Sequence, residues 1–249
     1  MSALVLSLSP SPLTVSETKG RSRRRAHHLR KGIRVGRVTA PTSPQVLAMP
    51  NEGAKRRDII MSEATDFGTF GRFEETSVGD MPADMKEAYD FTMKLRGLVP
   101  GAHRIWLANP ELSKTVAPIG AYYQTRSTLT KPEIEIATNL VNGRWSAAYS
   151  NYEHEIIGEK AGGLPPEKVE AMIAGRPTSF DDSRQQVVYE LASALVAARV
   201  VPKGLYQRAK ALLGDAGIVD VTMLLGWFTG VSLTLMAFDV PSNAIGLKQ

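Results

Sequence analysis

Beyond about residue 80, apolar residues recur at helical spacing, and no segment alternates with the two-residue period of a strand. The chain is therefore expected to be all-α. Pro82–Arg96 carries Met85, Ala88, Tyr89, Met93 and Leu95 as its apolar set, and Gly97 with Pro100-Gly101 ends it. Ile105-Trp106-Leu107 reads as a short helical turn. Asn109-Pro110 is an N-cap followed by proline at the first helical position, opening a helix to about Thr125. Thr130-Lys-Pro-Glu133 is a capping box opening the Glu133–Asn142 helix, with Gly143 as the expected break after it. Pro165-Pro166-Glu167 starts a helix through Ala174, and Gly175-Arg-Pro177 stops it. Asp181-Asp182 caps a helix with Val187, Val188, Leu191, Leu195 and Val196 on its apolar face. Pro202 opens Lys203–Leu213, which ends at Gly214. The last helix, Ile218–Phe238, is apolar almost all round, which places it centrally or at a subunit interface.

The stretch Gly143–Gly162 reads as one helix with two stripes. Trp145, Ala148, Tyr149, Tyr152 and Ile156 form the apolar one; Ala147, Ser150, His154 and Gly158 form a stripe of small residues around a histidine. Small side chains let a neighbouring helix approach, so His154 is expected at a tight helix–helix seam. It is the leading reactive group, and a histidine merely lining such a seam is the plain alternative.

Charge alters the picture at the N-terminus. Residues 1–60 hold 12 of the 30 Lys and Arg but only 3 of the 25 Asp and Glu, which leaves 18 basic and 22 acidic residues, net −4, in the rest. The foldable part is mildly acidic and gives no reason to expect nucleic-acid binding. Residues 1–60 are rich in Ser, Pro and Arg and have no periodic apolar face, so the expected organisation is a disordered basic tail over 1–60, an irregular lead-in over 61–80, one helical domain over 81–240 and a short tail over 241–249. The tail reads in three ways: translation that begins at Met61, a disordered extension, or an Arg- and Ser-rich transit peptide. The first is favoured and goes with a cytoplasmic location; the third would mean organelle import. No apolar run approaches the ~20 residues of a bilayer span, so no membrane association is expected.

Several chemistries are excluded or disfavoured by residue type. The chain has no cysteine, hence no thiol nucleophile, thiolate metal site or dithiol couple. Beyond residue 60 it has two histidines, His103 and His154, far apart and without clustered carboxylates, so no metal site and no cofactor are expected. There is no phosphate-cradling glycine loop and no Gly-x-Ser-x-Gly turn. Glu135 lies among Ile134, Ile136, Ala137 and Leu140, either at the polar edge of that stripe or desolvated with a raised pKa. Glu153 and Glu155 point about 100° away from His154 along the helix and read as solvated. His103-Arg104, placed in a loop after Pro100-Gly101, either holds an anionic substrate or, the favoured reading, is simply exposed. Asn142 and Asn151 are weaker candidates as polar liners.

The run Asn109-Pro-Glu-Leu112, then Leu129-Thr-Lys-Pro-Glu-Ile-Glu-Ile-Ala137, then Trp145, Tyr149, His154 and Ala161-Gly162, resembles the carboxymuconolactone decarboxylase / alkylhydroperoxidase D family, as do Ile173-Ala-Gly175 and Val187-Val-Tyr-Glu-Leu191. The resemblance covers roughly residues 80–240 and implies an alkylhydroperoxidase D-like helical bundle. In the alkylhydroperoxidase D branch a Glu, a Cys-x-x-Cys pair and a His form a proton-relay and thiol site. The Glu falls on Glu135, the two cysteines on Ala147 and Ser150, and the His on His154, so both thiols are replaced. The decarboxylase-like branch often has Tyr-Glu-Trp before its histidine, where this chain has Tyr149-Ser150-Asn151, a departure that leaves the substrate open.

What the resemblance implies is a cysteine-independent acid/base pair, Glu135 and His154, acting as the catalytic residues of a decarboxylase-like lyase on a small organic acid or lactone. Ser150, Tyr149, Arg144 and Trp145 complete the expected substrate-binding set, with Arg144 or Arg104 as the group that holds a carboxylate. The alternative is a non-catalytic oligomeric homologue, marked by a seam that Trp145, Tyr149 and Tyr152 fill completely. Thiol-based peroxidase activity is disfavoured by the missing cysteines. The expected partners are a small-molecule substrate and further copies of the chain, as a trimer or hexamer, with Ile218–Phe238 suited to the interface.

Overall fold

Glu133 starts the helix on which the rest of the fold is assembled. Its Oε2 accepts the Thr130 backbone N–H at 2.8 Å, completing the capping box, and its Oε1 meets Arg184 Nε at 2.8 Å. In this structure, a computed structural model that describes residues 70–244, the box opens a helix running Lys131–Trp145. The expectations for residues 1–60 and for the last residues of the C-terminal tail lie outside the described residues.

Eight helices occur among the described residues: α1 Ala83–Arg96, α2 Ala102–Trp106, α3 Pro110–Thr125, α4 Lys131–Trp145, α5 Ala148–Lys160, α6 Pro166–Ile173, α7 Ser183–Val196 and α8 Lys203–Ala237. No β-strand occurs among the described residues, where pairing is limited to an isolated bridge between Phe70 and Phe73. The fold is an all-α bundle. Local chemistry sets most boundaries where the sequence puts them. Asn109 Oδ1 accepts the Leu112 N–H at 3.2 Å to start α3, and the Asp182 carboxylate accepts the Arg184 and Gln185 N–H groups at 3.0 and 2.8 Å to start α7. Gly97, in the left-handed region at φ 80°, closes α1.

α4 is the centre of the bundle. It packs against α5, α6, α7 and α8, and Ile134, Ile136, Ala137 and Val141 join the main core with Val169, Met172, Val188, Leu191, Val221 and Leu224. Two smaller cores flank it: Ala88, Tyr89, Val99 and Leu107 under α1, and Phe70, Ala102, Ile105, Leu235 and Val240 between α2 and the end of α8. The Asp220 carboxylate, on α8, fixes the turn before α4. It accepts Tyr122 Oη at 2.7 Å, Ser127 Oγ at 2.9 Å, and the Thr128 N–H and hydroxyl at 2.8 Å each.

Three expectations are corrected. Gly143 does not break the chain: α4 passes through it, because α6 crosses so closely that a Cβ there would meet the Ile173 carbonyl at 2.6 Å. The break falls instead at Ser146, left-handed at φ 52° and ψ 35°, so Gly143–Gly162 is the end of α4 followed by α5 rather than one helix. The buried face of α5 is the expected seam stripe with Ser150 and Gly158; on the other stripe Tyr152 is 48% exposed, while Trp145 packs against the main core and Tyr149 against the Phe70 cluster. His103 and Arg104 lie in α2, not in a loop, and His103 is buried.

The C-terminal helices read as two become α8 with a break at Gly214, whose φ 68° and ψ 178° no helix adopts. An 18-residue window of α8 has a mean hydropathy of 1.6, enough by length and composition to cross a membrane, where the expectation was that no apolar run approaches such a span. Here Val221, Leu224, Leu225 and Leu235 are buried within the bundle.

The α4–α6 crossing gives a direct test. Gly143→Ala should destabilise the protein by about 1–3 kcal/mol through overpacking. Gly204→Ala, where a Cβ meets nothing within 4 Å, should be neutral or stabilising by helix propensity. Thermal unfolding of both variants checks the contrast.

Candidate functional site

Glu135 follows from the helix that carries it. Four residues into α4 and facing α5, it has no exposed surface, so its charge must be met by neighbours. One is Lys131, a turn earlier, whose Nζ donates to Oε1 at 2.6 Å. The other is His154, whose Nδ1 lies 2.8 Å from Oε2. Burial pushes the Glu135 carboxyl up, but the hydrogen bond and charge of His154 and the Lys131 ammonium outweigh it, and the net shift is below the ordinary carboxylate value. The desolvated, raised-pKa form of Glu135 considered from the sequence is therefore half right: the group is buried, and it is ionised.

Two asparagines set the position of His154 relative to α4. Asn139 Nδ2 donates to the Glu135 carbonyl at 2.9 Å and to the His154 carbonyl at 3.2 Å, and Asn142 Nδ2 donates to the Ser150 carbonyl at 3.3 Å. Asn142 Oδ1 in turn accepts from Ser232 Oγ on α8 at 3.2 Å. These amides tie α5 to α4 one turn apart, and Gly158 lets Asn139 approach to 3.1 Å of where a Cβ would stand. The ring of His154 stands edge-on to Phe228, with centroids 4.8 Å apart. With Nδ1 committed to Glu135, Nε2 is the ring atom available for chemistry.

His154 and Glu135 border a cavity of about 560 Å³, within the usual size of a small-molecule site. Its apolar wall includes Ile157, Trp227, Phe228, Val231 and Leu235, its polar groups come from α1 to α5, and Leu98, Val99, Pro100 and Gly101 line it from the turn between α1 and α2. Of the expected substrate-binding residues, Ser150 and Tyr149 line it. Arg144 and Trp145 do not. The αL turn at Ser146 ends α4 at this point, the Arg144 guanidinium lies over the Trp145 ring at 5.9 Å, and Trp145 Nε1 donates to Thr229 at 3.3 Å. Asn142 is a structural tie rather than a liner, and Glu153, read as solvated, is part of the cavity wall.

Sequence reasoning missed the opposite wall. Arg96, at the end of α1, sends Nη1 to within 2.7 Å of His103 Nε2. An arginine only donates, so Nε2 is the unprotonated nitrogen of a neutral ring. Burial, and then the charge of Arg96, push the His103 imidazole down to about 3. Its ring is held edge-on against Trp106 at 4.8 Å and tilted against Trp227 at 5.7 Å. The guanidinium itself rests on Gly120 of α3, where a Cβ would come within 2.7 Å of Cζ. No local pattern signals this arrangement: Arg96 looks like an ordinary cation complementing a helix C-terminus. Arg104, the other suggested carboxylate holder, lines the cavity but pairs with Glu75 at 3.3 Å.

Among the described residues, no group of three or more His, Asp and Glu stands close enough to hold a metal ion. No protein-family profile and no curated protein matches the chain. Among solved structures, an uncharacterized peroxidase-related protein from Silicibacter sp. TM1040 is similar, with 18% identity and a TM-score of 0.57 over 70% of this chain and 92% of that one. At this identity the likeness is one of fold alone, an all-α architecture.

Proposed function

We propose that this chain is a cysteine-less member of the carboxymuconolactone decarboxylase / alkylhydroperoxidase D family and a decarboxylase-like lyase acting on a small organic acid or lactone. The observation that carries the reading is the 2.8 Å contact between His154 Nδ1 and the buried Glu135 carboxylate at the edge of a cavity of about 560 Å³. Glu135 fixes the tautomer and stabilises the imidazolium, leaving Nε2–H to face the substrate. In the reaction, the bond between the carboxylate carbon and its neighbour breaks, carbon dioxide leaves, and the electron pair passes into the conjugated system of the substrate. His154 Nε2 then delivers a proton to the carbon that held the carboxylate, and solvent restores it.

Other readings have less support. A non-catalytic homologue would have the α4–α5 seam closed by Trp145, Tyr149 and Tyr152; instead Tyr152 is half exposed and Trp145 turns to Thr229. The peroxidase-related description of the structural neighbour belongs to that protein. Here Ala147 and Ser150 stand where the family's thiols would be, and a serine forms no resolvable disulfide.

Self-association is part of the proposal. On the side of α8 away from α4, Val219, Met223 and Leu233 are 57, 55 and 46% exposed, and they follow one another at coiled-coil intervals with Gly226 and Gly230 between them. A second copy of the same helix is the partner this face suits. Light scattering after size-exclusion chromatography should give a trimer or hexamer, and Met223→Glu should shift it to smaller species; a monomeric native protein would contradict this part.

Carbon dioxide release from a panel of small lactones and unsaturated acids tests the reaction. His154→Ala and Glu135→Gln should each lower kcat by about 100-fold or more, within the range of general acid–base catalysis. The double variant should be little worse than either single one, because residues that act as a unit are not additive. Independent, multiplying losses in variants that still fold would contradict the pair.

A further inference from the structure

Three cations line the cavity, and two are already matched to carboxylates: Arg104 to Glu75 at 3.3 Å and Lys131 to Glu135 at 2.6 Å. Arg96 is the third. Among the described residues its one hydrogen bond goes to a neutral ring nitrogen, which supplies an acceptor but no charge. Its Nε is buried without a partner, and no carboxylate among the described residues forms an ion pair with it. Glu153, the remaining carboxylate of the wall, makes no hydrogen bond to it. A guanidinium taken out of water without a counter-charge is costly, and burial alone accounts for the lowering of its pKa.

The surroundings hold this cation in place rather than neutralise it. His103 is fixed between Trp106 and Trp227 and presents its lone pair to Nη1. Gly120 leaves bare the helix surface on which the guanidinium lies. A planar fork of donors held against a rigid wall, with its charge unmet, is complementary to a carboxylate. Beyond it, the apolar wall of Ile157, Phe228, Val231 and Leu235 offers nothing to a second charge, and the other two cations of the lining, Arg104 and Lys131, are already paired with Glu75 and Glu135.

We propose that Arg96, positioned by His103 and Gly120, is the anion subsite of this cavity, and that its ligand is a small monocarboxylate with an apolar body. The proposal rests on the reading of the cavity as a substrate site and names the class of molecule it takes. Arg96 is the binding residue; His103 and Gly120 position it.

Calorimetric titration with benzoate, and with benzamide as its neutral counterpart, tests the subsite. The native protein should bind benzoate at least about tenfold more tightly than benzamide, as expected for a charged hydrogen bond. Arg96→Met keeps the aliphatic stem and removes the charge; it should weaken benzoate by about 10- to 100-fold and leave benzamide unchanged. Gly120→Ala is a second probe that keeps the charge. The added methyl displaces the guanidinium, the helix tolerates alanine, and benzoate should again weaken selectively. Equal affinity for the two probes, or benzoate binding unchanged in both variants, would overturn the proposal. Arg96-dependent benzoate binding in a protein that releases no carbon dioxide from any acid would sink the acid/base reading and support the subsite. Turnover that depends on His154 but is indifferent to Arg96→Met and Gly120→Ala would sink the subsite alone.

Discussion

A carboxylate with no exposed surface has to be compensated where it stands, and Glu135 sits in the second turn of the helix against which α5, α6, α7 and α8 all pack. Lys131 meets one oxygen from the same helix, and His154 meets the other from α5. Leaving such a charge without a partner costs about 3–5 kcal/mol, a large part of the net stability of a domain this size. The pairing therefore constrains the fold as well as the site. α5 must run where its histidine reaches Oε2, and Asn139 and Asn142 hold it there through its own carbonyls. The small residues of α5 follow from the same requirement, because anything larger at Gly158 would push Asn139 away.

The two walls of the cavity solve opposite electrostatic problems. On the α4–α5 side an anion is buried and fully matched, which fixes the histidine beside it. On the α1–α2–α3 side a cation is partly buried and left unmatched, steadied by a neutral imidazole that burial and the adjacent guanidinium keep from protonating. The first arrangement suits proton transfer, and the second suits recognition of a negative ligand. Both face one space of about 560 Å³ with an apolar wall between them, the usual composition of a small-molecule site.

Much of the fold was legible because helix ends are local chemistry. Asn109, Thr130 with Glu133, and Asp182 satisfy orphan amides within three residues of themselves, so their roles are written in short strings. The α4–α5 break was not legible, since a serine rather than a glycine takes the left-handed conformation, and the conspicuous Gly143 serves a helix crossing instead. The seam face of α5 was legible, because a stripe of small residues permits close approach: Ser150 and Gly158 are buried there, while Tyr152 on the other stripe stays half exposed. Glu135 and His154 were identified through a family resemblance joined to their chemistry. Arg96 was not, and His103 was weighed only together with Arg104, because the Arg96–His103 pairing spans the 97–101 turn and depends on α3 supplying Gly120 from elsewhere in the chain.

The central claim is that Glu135 fixes His154 as an Nδ1–H donor with Nε2 free to exchange a proton. Long-range proton–nitrogen correlation spectra of the His154 imidazole, recorded for the native protein and for Glu135→Gln, read this directly. The account predicts a protonated Nδ1 carrying a strongly deshielded proton, and loss of that signal in Glu135→Gln. A neutral ring carrying its proton on Nε2, with a spectrum unchanged by substitution of Glu135, would contradict it.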